Sequence, residues 1–98
     1  MVNNGMRPIH PGEILREEYL LPLGISANAL ACALAITAAR VNDIVRERRG
    51  ITGDTAFRLE RYFGTDAQSW LNLKYEYELR LEAINAGKTI KRQVKQMA

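Results

Sequence analysis

The amino-acid sequence predicts an all-α fold, arranged as a single domain of five helices. Residues that start and end helices recur at short spacing along the 98-residue chain. Between them, apolar residues repeat at steps of three and four, which is the period of an amphipathic helix. No segment alternates apolar and polar residues for long enough to predict a strand. A chain of this length has room for one core of modest size, and therefore for one domain.

The first two helices are indicated by proline, serine and glycine. The segment His10–Glu13 places a proline at the first helical position and an acidic residue in the first turn. The segment Leu21–Gly24 is expected to end this helix, because Pro22 cannot continue it. Ser26 is an N-cap for the second helix. The apolar residues of that helix are Leu30, Ala31 and Leu34.

The third and fourth helices have matching start and stop residues. Thr37 caps the third helix, and Gly50 is expected to break the chain after it. Thr52 starts the fourth helix, and Gly64 ends it. The apolar residues of the two helices are Val41, Ile44, Val45, Ala56, Leu59, Tyr62 and Phe63.

The fifth and longest helix is expected over about residues 66–86. Thr65 and Gln68 have the spacing of a capping box at its start. Its apolar residues, Trp70, Leu73, Tyr77, Leu81 and Ile84, form a stripe wide enough for both a core and a two-fold partner. The residues assigned to a homodimer interface are Trp70, Tyr77, Leu81 and Ile84. Base stacking on Trp70, Tyr75 and Tyr77 is disfavoured, since the platforms that stack bases are usually sheets or OB-folds.

The tight turn Leu34–Thr37 joins two capped helices, which is the pattern of a helix-turn-helix unit. In such a unit the second helix stands at the surface and enters a major groove. At about 100° per residue, its apolar residues point inward together. The residues that then point outward, or flank that face, are Ala39, Asp43, Arg46, Arg40, Asn42 and Glu47.

The outward face has side chains suited to DNA. Arg40 or Arg46 can fork onto a guanine, and Asn42 onto an adenine or a phosphate. Asp43 would repel phosphates, so it should accept from a cytosine or orient Arg40 or Arg46. Short residues let the helix approach closely, and arginines and helix N-termini suit phosphates. The predicted DNA-binding residues are Ser26, Thr37, Ala38, Ala39, Arg40, Asn42, Asp43, Arg46, Arg48 and Arg49. A face that is merely solvated is the competing interpretation, which the tight turn between capped helices disfavours.

The excess positive charge lies at the C-terminal end of the chain. The formal net charge is +3, yet residues 1–84 contain ten Lys and Arg against eleven Asp and Glu. The four remaining cations lie in residues 85–98, which contain no acid. The helix pattern runs from His10 to about residue 86, so we divide the chain into a flexible segment 1–9, a DNA-binding domain 10–86 and a basic tail 87–98. The tail can grip DNA, contact a protein or remain solvated, and the sequence does not choose between these roles.

Several other functions are disfavoured by composition. The lone Cys32 permits no intrachain disulfide, no secretory signal is recognisable, and no apolar run approaches the roughly 18 residues of a membrane span, so a cytoplasmic protein is expected. Cys32 is expected to be a small buried residue, and His10 to have a structural role at a helix start. No phosphate loop, metal-ligand cluster or nucleophile with a base is recognisable, so no enzyme, metal or cofactor is expected.

Five segments together resemble one family of regulators. They are His10–Leu15, Leu21–Ser26, Arg49–Ala56, Phe63–Thr65 and Trp70–Leu73. They resemble HigA-type antitoxins, also called VapI-like, of the repressor-like (XRE/Cro) helix-turn-helix group. The resemblance covers about residues 8–82 and is specific as a combination.

The resemblance implies a five-helix repressor-like fold and a homodimer that binds a palindromic operator. It also implies repression of the protein's own operon and neutralisation of a RelE-like toxin that cleaves mRNA. Three departures from the family pattern are Ala35 in place of a turn glycine, Glu47 in place of a helix-ending glycine, and short side chains at Ala38 and Ala39. Without that glycine, the third helix is expected to run longer.

Two alternative functions remain open from the sequence. One is an orphan helix-turn-helix regulator that binds DNA but has no toxin partner. The other is an interaction module that binds only protein, with a reading helix that has lost its function. The residues that keep this last alternative open are Ala38, Ala39 and Asp43.

Overall fold

The computed structural model describes residues 7–97, which contain helices and turns but no strand. The all-α prediction with five helices is confirmed. The first helix, α1, is a continuous run made of Pro11–Ile14, Leu15–Leu20 and Leu21–Leu23. The others are α2 (Ala27–Leu34), α3 (Ala38–Val45), α4 (Gly53–Phe63) and α5 (Ala67–Gln93). Of the segment 1–9 assigned as flexible, residues 1–6 lie outside the described residues.

Helix α1 continues through its proline instead of ending there. Leu15–Leu20 is π-helical, and the backbone N–H of Leu21 donates to the carbonyl of Arg16. This widened turn accommodates Pro22, which lacks the N–H of a regular helix. The helix ends at Gly24, whose φ of 66° lies in the left-handed region.

The helix-turn-helix unit is closed by a left-handed alanine. Ala35 has φ 59° and ψ 43°, and the Ile36 N–H donates to the Ala31 carbonyl at 3.0 Å across the turn. On each side a hydroxyl caps a helix. Ser26 Oγ accepts from Ala29 N at 3.0 Å, and Thr37 Oγ1 accepts from Arg40 N at 3.1 Å. The predicted caps of α2 and α3 are therefore confirmed.

Helix α3 is not extended by the missing glycine, so this prediction was wrong. The helix ends at Val45, and Glu47 itself adopts the left-handed conformation with φ 63°. The Arg48 N–H donates to the Asp43 carbonyl at 2.8 Å, which closes the helix end as a glycine would. Arg16 lies across this helix end, donating to the Val45 carbonyl and pairing with Glu47 at 3.4 Å.

The start of α5 differs from the predicted capping box. Asp66 is the N-cap, accepting from Gln68 N at 3.4 Å. Thr65 instead accepts from the indole Nε1 of Trp70 at 2.8 Å. The Thr65 hydroxyl is therefore used by the buried Trp70 ring and does not cap the helix as the sequence pattern predicted.

Helix α5 is also longer than predicted. It runs to Gln93, so the proposed boundary between residues 86 and 87 falls inside it. A single interior glycine, Gly87, costs roughly 1 kcal/mol in a helix and does not stop one. The described part of the protein is therefore elongated, with extents of 52 × 24 × 21 Å.

The core lies where α1 to α4 pack against the first half of α5. Its largest fully buried side chains include Leu15, Leu30, Ile44, Ile51 and Leu59. Cys32 is exposed, so the prediction of a buried cysteine was wrong: α2 packs through Leu30, Ala31 and Leu34, and Cys32 lies on the other face. Trp70 is only 3% exposed within one chain. Its assignment to a dimer interface is corrected, because almost none of its surface is left for a partner.

Candidate nucleic-acid interface

Helix α3 presents a short, exposed surface at its N-terminal end. Val41, Ile44 and Val45 are buried, so the predicted inward face is confirmed. Ala38 and Ala39 are exposed, and their methyl groups leave the backbone open to a close approach. Ser26 and Thr37, at the starts of α2 and α3, are exposed as well. Their hydroxyl groups are engaged as caps, which leaves early backbone N–H groups as the donors suited to an anion.

Arg40 does not extend freely from this surface. Its Nη1 donates to Asp54 Oδ2 at 2.7 Å and to Thr55 Oγ1 at 3.2 Å, both at the start of α4. Its side chain is 30% exposed. Arg40 is therefore tethered to the start of α4, beside the exposed surface of α3, and these contacts favour a single orientation of its guanidinium group.

Asp43 is neutralised by cations other than those predicted. Its Oδ1 accepts from Arg48 Nη2 at 3.1 Å, and its Oδ2 lies 3.9 Å from Arg49 Nη2. The expectation that it orients Arg40 or Arg46 was wrong, because the left-handed turn at Glu47 folds the next two arginines back towards it. Asp43 thereby gathers two positive charges beside the end of α3.

Two other polar side chains, Asn42 on α3 and Arg46 just after its end, have different surroundings. Asn42 Nδ2 donates to the Ala38 carbonyl at 2.9 Å, and its amide oxygen has no hydrogen bond to the described residues. Arg46 is exposed and has no ion pair or hydrogen bond to the described residues. Arg46 therefore lies at the opposite end of α3 from Ala38 and Ala39, and no contact with the described residues holds its guanidinium group.

Residues outside the predicted site hold α3 in place. Arg58 Nη1 donates to the carbonyls of Leu34 and Ala35, at 2.8 and 3.4 Å. At the other end, Gly12 packs directly against the backbone of Ile44. The sequence analysis missed both. The i, i+4 spacing of Asp54 and Arg58, and the glycine next to Pro11, were the available signals.

Three of the residues predicted for the dimer interface on α5 are only partly buried within one chain. Tyr77 is half-buried, with its ring 4.9 Å from that of His10 at an angle of 71°. Leu81 is half-buried and Ile84 is 65% exposed. These three residues remain predicted contacts for a partner.

His10 has the structural role expected of it. Its Nδ1 accepts from Gly12 N at 2.9 Å and so caps α1. Burial lowers the pKa of His10, because the charged imidazolium is poorly solvated there. The neutral ring, which can accept this hydrogen bond, is the favoured form.

Two further features of residues 7–97 bear on function. Within this range, no group of three or more His, Cys, Asp or Glu side chains is arranged to hold a metal ion. None of the helices there is long and apolar enough to cross a membrane.

Comparison with protein-family models finds no match. Individual proteins do match. Virulence-associated protein I of Dichelobacter nodosus is 65% identical over 78 residues, which are 80% of this chain and 72% of that protein. Antitoxin HigA-1 of Vibrio cholerae is 32% identical over 73 residues, 74% of this chain and 69% of that protein. An uncharacterised helix-turn-helix transcriptional regulator of Escherichia coli, YbaQ, is 38% identical over 73 residues, 74% of this chain and 65% of that protein.

Two solved structures share the whole fold. The antitoxin HigA of Pseudomonas aeruginosa with the higBA promoter has a TM-score of 0.91 and 53% identity, covering 94% of this chain and all of that one. The antitoxin GraA in complex with its operator has a TM-score of 0.90 and 45% identity, covering 100% of this chain and 99% of that one.

Proposed function

The chain belongs to the VapI- and HigA-type family of helix-turn-helix antitoxins, and from this membership we propose that it binds operator DNA and represses its own operon. The observation that carries the proposal is the exposed N-terminal end of α3, set in a fold that matches the promoter-bound HigA over its full length. Its relatives are antitoxins and transcriptional regulators, so the chain is not an enzyme.

The geometry supports different DNA contacts for different parts of the helix-turn-helix unit. The N-termini of α2 and α3, with Ser26 and Thr37, suit two phosphates of the backbone. Ala38 and Ala39 allow the start of α3 to approach base edges and thymine methyl groups. Arg46, which has no partner among the described residues, can fork onto a base or a phosphate.

Two partners beyond DNA complete the proposal. One helix-turn-helix unit reads only a half-site, so a homodimer on a palindromic operator is proposed. The interface would use Tyr77, Leu81 and Ile84 of α5, which retain surface to bury. The second partner is a RelE-like, mRNA-cleaving toxin that the antitoxin would neutralise by direct binding in the cytoplasm. A regulator without a toxin is the other candidate function, favoured by the similarity to the Escherichia coli regulator.

The test is a titration of the protein against a duplex from its own promoter, with and without the product of the adjacent gene. Binding is expected to weaken steeply with salt, because phosphate contacts release counterions. Binding that the neighbouring protein alters supports an autoregulating antitoxin. Tight binding that it leaves unchanged supports the regulator without a toxin, and absence of binding at low salt refutes both.

A matched pair of variants tests the reading face. Arg46→Ala should weaken operator binding roughly 5- to 100-fold. Arg61→Ala removes the same charge from the last turn of α4 and should change binding far less. Equal binding by both variants and the parent would show that α3 does not read the DNA through Arg46.

A further inference from the structure

A chain of contacts joins the turn of the helix-turn-helix unit to Arg40. Arg58 Nη1 donates to the Leu34 carbonyl at 2.8 Å, and its Nε donates to Asp54 Oδ2 at 2.9 Å. The same Asp54 oxygen accepts from Arg40 Nη1 at 2.7 Å. One carboxylate oxygen therefore bridges an arginine fixed to the turn and an arginine on the reading helix.

A second acceptor fixes the rotation of the Arg40 side chain. Thr55, only 2% exposed, accepts from the same Nη1 at 3.2 Å. Arg40 Nε and Nη2 have no partner among the described residues. The guanidinium thus uses one nitrogen to hold onto α4 and leaves a two-donor edge open. That edge has the geometry for a bidentate bond to a base edge or a phosphate.

We propose that Asp54 is a positioning residue for operator recognition, which fixes Arg40 so that its open edge meets the DNA in a single orientation. The inference rests on the proposed function and names a residue that acts through another. A guanidinium held in one orientation distinguishes a base that offers two acceptors from one that does not. A mobile guanidinium contacts any phosphate within reach, and so adds affinity without specificity.

The direction in which Asp54→Asn changes DNA affinity distinguishes this positioning role from a simple electrostatic effect. Asp54→Asn makes the protein more positive, so if Asp54 acted only as a counter-ion, its loss would strengthen binding to every duplex. If Asp54 positions Arg40, the same substitution weakens binding to the operator despite the added positive charge. Glu18→Gln is the matched control, since Glu18 is exposed on α1 and has no hydrogen bond or ion pair among the described residues.

The experiment compares the Kd of each variant for the operator duplex and for a scrambled duplex of the same length. For Asp54→Asn we expect operator binding about 10-fold weaker, with scrambled-duplex binding as tight as that of Glu18→Gln. A double-mutant cycle with Arg40→Ala should show that Asp54→Asn no longer weakens operator binding once Arg40 is absent. Melting temperatures of the variants should stay close to that of the parent, because the ion pairs of Asp54 are solvent-exposed.

Two outcomes would overturn this role of Asp54. The first is operator binding by Asp54→Asn that is as tight as that of Glu18→Gln, or tighter. The second is an effect of Asp54→Asn that persists in full in the Arg40→Ala background. In both cases the parent protein binds its operator, so the proposed function stands. Failure of the parent to bind would refute the proposed function itself, and this role with it.

Discussion

A methyl group at Gly12 would test how α1 holds the reading helix. A Cβ at this buried glycine would lie 1.8 Å from the Ile44 carbonyl oxygen and 2.8 Å from its carbonyl carbon, where ordinary contacts are 3.4–4 Å. Both atoms belong to the backbone, so no change of rotamer relieves the overlap. The start of α1 and the end of α3 would have to separate by roughly 1.5 Å, and neighbouring core contacts would loosen with them.

The magnitude follows from these contacts. Forcing extra volume into a packed interior costs about 1–3 kcal/mol. Displacing Gly12 also disturbs its hydrogen bond to His10 Nδ1, which contributes about 1 kcal/mol. Gly12→Ala should therefore lower the free energy of unfolding by about 2–4 kcal/mol. For a domain of this size, that lowers the Tm by roughly 10–25 °C.

The assay is thermal unfolding followed by circular dichroism, with Gly87→Ala as control. A Cβ at Gly87, in the second half of α5, would have no heavy atom within 4 Å apart from the nearby backbone of its own helix and its chain neighbours. Its replacement should raise the free energy of unfolding by about 0.5–1 kcal/mol, since alanine is the better helix former. Replacement of glycine by alanine is thus expected to lower the free energy of unfolding at one site and to raise it at the other. A Gly12→Ala protein that melts with the parent would refute the close packing of α1 on α3.

Three other substitutions test the turn, the helix cap and the core. Ala35→Gly should raise the free energy of unfolding by about 0.5 kcal/mol, because relief of the left-handed conformation slightly exceeds the added flexibility of the unfolded chain; a lower Tm would contradict this. Because the pKa of His10 is lowered in the folded protein, the folded chain binds fewer protons than the unfolded chain at mildly acidic pH. The neutral His10 therefore contributes fully to the free energy of unfolding above pH about 6.5, and this contribution is lost as the pH falls below that value. His10→Asn keeps an acceptor for the cap, and urea unfolding between pH 5 and 8 should show a weaker pH dependence than in the parent; an unchanged profile would mean that His10 does not titrate as described. Trp70→Ala should cost about 3–5 kcal/mol in urea unfolding, because the ring is buried and its N–H bonds Thr65; stability equal to the parent's would remove Trp70 from the core.

Much of the candidate site could be predicted from the sequence. The caps at Ser26 and Thr37, and the inward face of α3, follow from hydroxyl side chains and from a period of 3.6 residues, which act within a few positions along the chain. The position of α3 at the surface follows from the tight turn before it. The role of each outward side chain could not be predicted in this way, because the partner of Arg40 lies on α4.

Sequence alone thus determined the five helices, most of their ends and the family, since helix formation depends on neighbouring residues. The tertiary structure determined those helix ends and side-chain contacts for which the sequence pattern was ambiguous or misleading. Glu47 takes the left-handed conformation in place of a glycine, and Arg16, 31 residues away, contacts both the Val45 carbonyl and Glu47 at this helix end. Thr65 gives up the cap because the indole of Trp70 is packed beside it. The contact of Arg16 with Glu47 joins segments that only folding brings together, and that of Thr65 depends on the core, which holds the nearby Trp70 ring in place. The free energy of one such hydrogen bond is comparable to a local preference of about 1 kcal/mol.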